Sequence, residues 1–186
     1  YTQSGNYSHT IVGGNANGCD SIITLQLNIP ATPVSANITS TNVLCNGANN
    51  GTISITPSNG IAPYSIYIYD INDLSSSIRG YTAVAAGTSR TATSLPDGTY
   101  FVEVIDQYGC FYSANVTISE PAPLTAIASV QQPITCNQGT DGSINVSVAG
   151  GTMPYTYLWN TGSTNSTLTG IGSGNYSVTV TDGNNC

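Results

Sequence analysis

Two stretches of this 186-residue chain repeat each other, and the repeat constrains the fold more than any other feature. Cys45 to Tyr64, CNGANNGTISITPSNGIAPY, overlays Cys136 to Tyr155, CNQGTDGSINVSVAGGTMPY, without a gap; seven of the twenty positions are identical, namely Cys, Asn, Gly, Ile, Gly, Pro and Tyr. A second block, Tyr100 to Cys110, overlays Tyr176 to Cys186 and keeps a Tyr, two Val, an Asp and the Cys. Between the blocks the first copy carries fifteen extra residues, an insertion at about 70–90. Cys19 to Cys45 and Cys110 to Cys136 are both 26 apart, and Pro30 and Pro121 each follow the leading Cys by eleven. The chain therefore reads as three units: 1–30, the C-terminal part of one module; 34–120, a complete unit; and 124–186, a unit lacking its last strand. Prolines at Pro30, Pro33, Pro121 and Pro123 stiffen the connectors.

Within the units the residues alternate between apolar and polar, as strands with one buried face do, in Thr52–Thr56, Tyr64–Tyr69, Tyr100–Asp106, Asn115–Ser119, Ser143–Val148 and Tyr176–Thr181. No window sustains a helical period. Tyr64, Ile66 and Ile68 share a face and correspond to Tyr155, Tyr157 and Trp159. A Trp there suits the space between the sheets of an immunoglobulin-like sandwich, and Tyr100 and Tyr176 stand where a tyrosine corner precedes the penultimate strand. The expected fold is all-β, tandem immunoglobulin-like β-sandwich domains in an elongated array.

Composition decides what such domains can do. There are two basic residues, Arg79 and Arg90, no lysine, and nine acids, a formal charge of -7. Nucleic acid and anionic membrane surfaces are excluded as partners, because both require clustered Lys and Arg. Ser, Thr and Asn make up 66 residues and supply the solvated surface instead. With one histidine and scattered acids there is no nucleophile, base and orienter to assemble, so a non-enzyme is expected. Asp70 and Asp73, the closest acid pair, read as exposed-loop residues rather than a glycosidase pair.

The ordered pattern Cys-Asn-x-x-x-x-Gly-x-Ile, Gly-x-x-Pro-Tyr, an aromatic strand, Gly-x-Tyr-x-Val-x-Val-x-Asp and a closing Cys resembles the SprB-type repeat of large surface adhesins in gliding Bacteroidetes. The resemblance covers residues 34–186. The middle unit departs from it through the insertion and through Ile68, where an aromatic is usual. The opening SGNYSHTIVGGNANGCDSIITLQL is similar to a neighbouring module type of the same proteins. The resemblance implies a cell-surface adhesin or filament protein exported by type IX secretion, acting as stalk or fibre in attachment or gliding. Alternatives are a carbohydrate-binding array, with surface polysaccharide as ligand, and a subunit of a bundled appendage of identical chains. Neighbouring domains of the same chain are expected partners in any case, and direct membrane contact is not expected of this segment.

Extracellular placement favours disulfides. Pairing Cys45 with Cys110 and Cys136 with Cys186 closes each unit, a constraint worth about 4 kcal/mol per loop in the chain-entropy model; Cys19 then pairs upstream. The rival pairing, Cys19 with Cys45 and Cys110 with Cys136, staples neighbouring units, and it stays open because strand order decides which cysteines share a pole. No cofactor is expected. Calcium candidates are Asp106 and Asp182, at equivalent positions before the closing turn, and Glu120 in the linker, although each Asp can equally cap its own turn. Tyr67 and Tyr69, opposite the presumed core face, and Arg79 and Arg90 in the insertion form a candidate contact surface.

Overall fold

A computed structural model describes residues 5–13, 20–27 and 33–186, and all the regular structure among them is strand. Near the start β1 (Gly5–Ile11) and β2 (Ser21–Leu27) form an antiparallel hairpin that leaves Ile22, Ile23 and Leu25 exposed. The middle unit holds β3 (Ser35–Thr41), β4 (Gly51–Ser58), β5 (Tyr64–Asp70), β6 (Arg79–Val84), β7 (Arg90–Leu95), β8 (Gly98–Ile105) and β9 (Phe111–Ile118). They make two antiparallel sheets, in the orders β3-β4-β7 and β6-β5-β8-β9. First, second and fifth strands thus face third, fourth, sixth and seventh, which is the immunoglobulin-like arrangement with the fourth strand beside the third.

Alternation along the strands builds the core between those sheets. Ile53 and Ile55 of β4, Ile66 and Ile68 of β5, and Val102 and Val104 of β8 are fully buried, while their sequence neighbours point outward. Each such side chain is worth about 1.5–3 kcal/mol of burial. The solvent faces carry hydroxyls where charges are usual. Ser35 and Ser58, Thr41 and Thr52, Ser54 and Thr91, and Thr99 and Thr117 stand directly opposite one another and are hydrogen-bonded at 2.9, 2.8, 3.0 and 3.2 Å. Cross-strand pairs of this kind stabilise a sheet without charge.

The third unit repeats the plan with β10 (Thr125–Gln132), β11 (Gly142–Ala149), β12 (Thr156–Trp159), β13 (Thr167–Ile171) and β14 (Val178–Thr181), paired as β10-β11-β13 and β12-β14. Trp159 is buried with Val146 and Leu168, and its indole N–H donates to the Asn165 carbonyl at 2.8 Å. The middle unit's insertion contributes β6, an extra strand on the free edge of β5; among the described residues β12 has no counterpart of it.

Both expected tyrosine corners are present. The Tyr100 hydroxyl donates to the Pro96 carbonyl at 2.8 Å and that of Tyr176 to the Gly172 carbonyl at 3.0 Å. Tyr100 is nearly fully buried, and burial, with Asp70 and Asp97 nearby, raises its hydroxyl above the ordinary tyrosine pKa. Tyr100→Phe keeps the ring and strands the carbonyl, so the middle unit should lose about 1–2 kcal/mol in denaturant unfolding; an unchanged midpoint would show that the corner is ornamental.

Candidate functional site: the junction between the two units

Each closing cysteine is held by one carboxylate. In the middle unit Asp106 is buried, and its Oδ1 accepts the amides of Tyr108 and Cys110, both at 2.9 Å, while Oδ2 accepts that of Ile61 at 3.2 Å. The third unit reproduces this: Asp182 Oδ1 accepts Asn184 N–H at 2.8 Å and Cys186 N–H at 2.9 Å, and Oδ2 accepts Thr152 N–H at 2.8 Å. The Cys186 amide, helped by those of Thr152 and Asn184 and opposed by burial, holds the Asp182 carboxyl below its ordinary pKa. The carboxylate therefore ties the closing turn to the Gly-x-x-Pro-Tyr loop and fixes where the cysteine points.

The leading cysteines also sit in matched turns. In one, Leu44 N–H donates to Asn50 Oδ1 at 2.9 Å, Ala48 N–H to the Cys45 carbonyl at 3.0 Å, and Gly47 has φ 72°. In the other, Thr135 N–H donates to Asp141 Oδ1 at 3.2 Å, Gly139 N–H to the Cys136 carbonyl at 2.9 Å, and Gln138 has φ 62°.

The disulfide joins one leading cysteine to the other unit's closing cysteine. Cys45 is bonded to Cys186, with Cα atoms 5.8 Å apart, and Cys110 and Cys136 are free and exposed. This corrects the expected pairing of Cys45 with Cys110 and Cys136 with Cys186. The cause is strand direction. The end of β3 lies beside the end of β9, where Val43 N–H donates to the Ser119 carbonyl at 3.0 Å, whereas Cys110 precedes the start of β9. Eight residues of extended chain, about 27 Å, separate the two poles, and a disulfide requires Cα atoms within about 7 Å. The rival bond between Cys110 and Cys136 is not formed either, and Cys19 lies outside the described residues.

Around the disulfide the linker is stitched to both units. Gly47 N–H donates to Glu120 Oε2 at 2.6 Å, Asn46 Nδ2 to the Pro121 carbonyl at 3.2 Å, and Ser119 N–H to Asn42 Oδ1 at 3.1 Å. From the third unit, Gly151 N–H donates to the Ala122 carbonyl at 2.8 Å, and Asn184 Nδ2 reaches the Leu44 carbonyl at 2.9 Å and Thr152 Oγ1 at 3.1 Å. Gly150, at φ 74°, passes so close to the Pro123 carbonyl that a Cβ would collide with it. The roles of Asn46, Gly47 and Asn184 were missed in the sequence; the only signal was their proximity to the cysteines.

The other candidate residues lie apart from this junction. Asp106 and Asp182 belong to different units and spend both oxygens on amides, and Glu120 gives one oxygen to the Gly47 amide, so a calcium ion at either Asp would have to displace N–H donors already in place. Asp70 and Asp73 cap their own turns, at the amides of Asn72 and Ser75. Tyr67 and Tyr69 are half-buried on the outer face of the four-stranded sheet and continue into Phe101, with ring centroids 6.4 and 6.2 Å apart. Arg79 is exposed at the start of β6 and donates to the Ile78 carbonyl, while Arg90 is half-buried on β7, in the opposite sheet.

Because the folded-state pKa of Asp182 is depressed, its contribution is complete above the ordinary value of 3.8 and lost as pH falls through the lowered one. The third unit should therefore lose stability from about pH 4 downward more steeply than an Asp182→Asn variant, which starts less stable at pH 7. Parallel acid limbs in thermal melts of the two proteins would contradict this.

The family model described as SprB repeat matches residues 37–73 and 128–164, which contain both Cys-Asn loops and both Gly-x-x-Pro-Tyr loops. No curated protein matches the chain. Similar solved structures include the C-terminal 282-residue fragment of intimin, in complex with the intimin-binding domain of the translocated intimin receptor, at 17% identity and a TM-score of 0.43 over 83% of this chain. The chain spans 60% of that fragment's length. The SprB repeat model thus matches a stretch in each of the two units that Cys45 and Cys186 join covalently.

Proposed function

We propose that this chain is a non-catalytic structural segment of a large extracellular adhesin or surface filament, one that keeps successive repeats from separating under load. The observation that carries this reading is the junction. A disulfide suits the oxidising exterior of the cell, and here it spans 141 residues from Cys45 to Cys186. Tension applied to the chain ends passes through the sulfur bridge and bypasses everything folded between those two residues. The SprB repeats support a cell-surface location, and with it type IX export and use in attachment or gliding, as parts of the same proposal.

Pulling single molecules by their two ends tests it. Under oxidising conditions the trace should show no unfolding steps from the segment between Cys45 and Cys186. Reductant should release about 490 Å of further contour length, the extended reach of 141 residues. Equal extension with and without reductant would defeat the proposal.

The aromatic row Tyr67, Tyr69 and Phe101 favours a second activity on the same stalk, contact with sugar rings, which stack on such faces. Glycan-array binding by the whole chain should fall at least tenfold in Tyr67→Ala with Tyr69→Ala. A chain that binds no glycan, or binds equally with both tyrosines removed, rules the row out.

A further inference from the structure

Cys45 and Cys186 play different parts: one follows the first strand of its unit, and the other sits between the last two strands of the complete sandwich plan. Each has a free, exposed counterpart in the same setting. Cys136 is the leading cysteine of the third unit and Cys110 the closing cysteine of the middle unit. We infer that Cys136 is one half of a second inter-unit disulfide, whose other half is the closing cysteine of a further SprB repeat packed at the third unit's far pole.

The loop around Cys136 already has the receiving geometry. Asn137 corresponds to Asn46, which donates to the linker carbonyl of Pro121. Gln138 adopts the left-handed conformation of Gly47, whose amide takes the linker carboxylate of Glu120. Asp141 bridges to the Thr135 amide as Asn50 does to Leu44. One contact has no counterpart, because Pro133 stands in place of Asn42, which receives the Ser119 amide. On the other side of such a junction, a closing cysteine is presented by the same carboxylate cage in both units, so any repeat with that cage offers a thiol in the same position. The two thiols lose two protons and two electrons to a disulfide oxidant, a small-molecule or protein disulfide that leaves as two thiols. The cysteines therefore form overlapping staples, each leading cysteine bonded to the next unit's closing one.

The test extends the full chain after Cys186 by a second copy of residues 111–186, which supplies a last strand, the linker and a further unit. After folding in glutathione disulfide, free thiols are alkylated and unreduced peptides are mapped by mass spectrometry. Cys136 should be linked to the added copy's closing cysteine, with Cys45–Cys186 retained and Cys110 alkylated. Tryptophan emission reports whether the added unit has folded, since Trp159 and its copy each lie in a unit core. An added unit that folds while Cys136 and its intended partner are both alkylated overturns the inference. So does one that stays unfolded, because the same segment folds behind the middle unit. Cys136→Ser in the extended chain should free the added closing cysteine alone and lower the added unit's melting temperature; an unmoved melt counts against the staple.

Discussion

In both repeats the carboxylate of one buried aspartate accepts three main-chain amides, and the junction hangs on that arrangement. Buried amides must find acceptors, and a carboxylate is the strongest available to them. By gathering donors from the closing turn and from the Gly-x-x-Pro-Tyr loop, Asp182 makes two distant pieces of chain one rigid corner. Cys186 projects from it, and Asn184, in the same turn, reaches the Leu44 carbonyl of the neighbouring unit. Covalent and polar contacts between the units thus share one local cause.

The surface follows from the same economy of charge. Paired hydroxyls on the sheet faces hydrogen-bond across strands and to water, so strand pairing does not depend on ionic strength as a salt-bridged surface would. The acids are drawn into the same work: Glu120 accepts the Gly47 amide in the junction, as Asp106, Asp141 and Asp182 accept amides in their own turns. A surface of this kind lets similar units follow one another with little mutual repulsion, which suits a long array.

Much of the fold was legible in the sequence because it depends on local pattern. Alternation located β4, β5, β8 and β11, the corner tyrosines were found from their spacing, and Tyr67 and Tyr69 lie on the outer face as the period of two requires. The disulfide was not legible, because its pairing is a property of strand direction and of how one unit sits on the next. A parity argument was available. Cys45 follows the first strand and Cys110 the sixth, and in an antiparallel up-and-down succession an odd and an even strand end at opposite poles. Accepting the sandwich therefore argues against pairing within a unit. The partner across the junction still needed the linker path, which the contacts of Asn46, Gly47 and Gly150 determine.

Unreduced peptide mapping of the purified chain tests the central claim most directly, that successive units are joined through leading and closing cysteines. A peptide pair containing Cys45 and Cys186, with Cys110 and Cys136 alkylated, is the predicted result. Pairs joining Cys45 to Cys110 and Cys136 to Cys186 would contradict it.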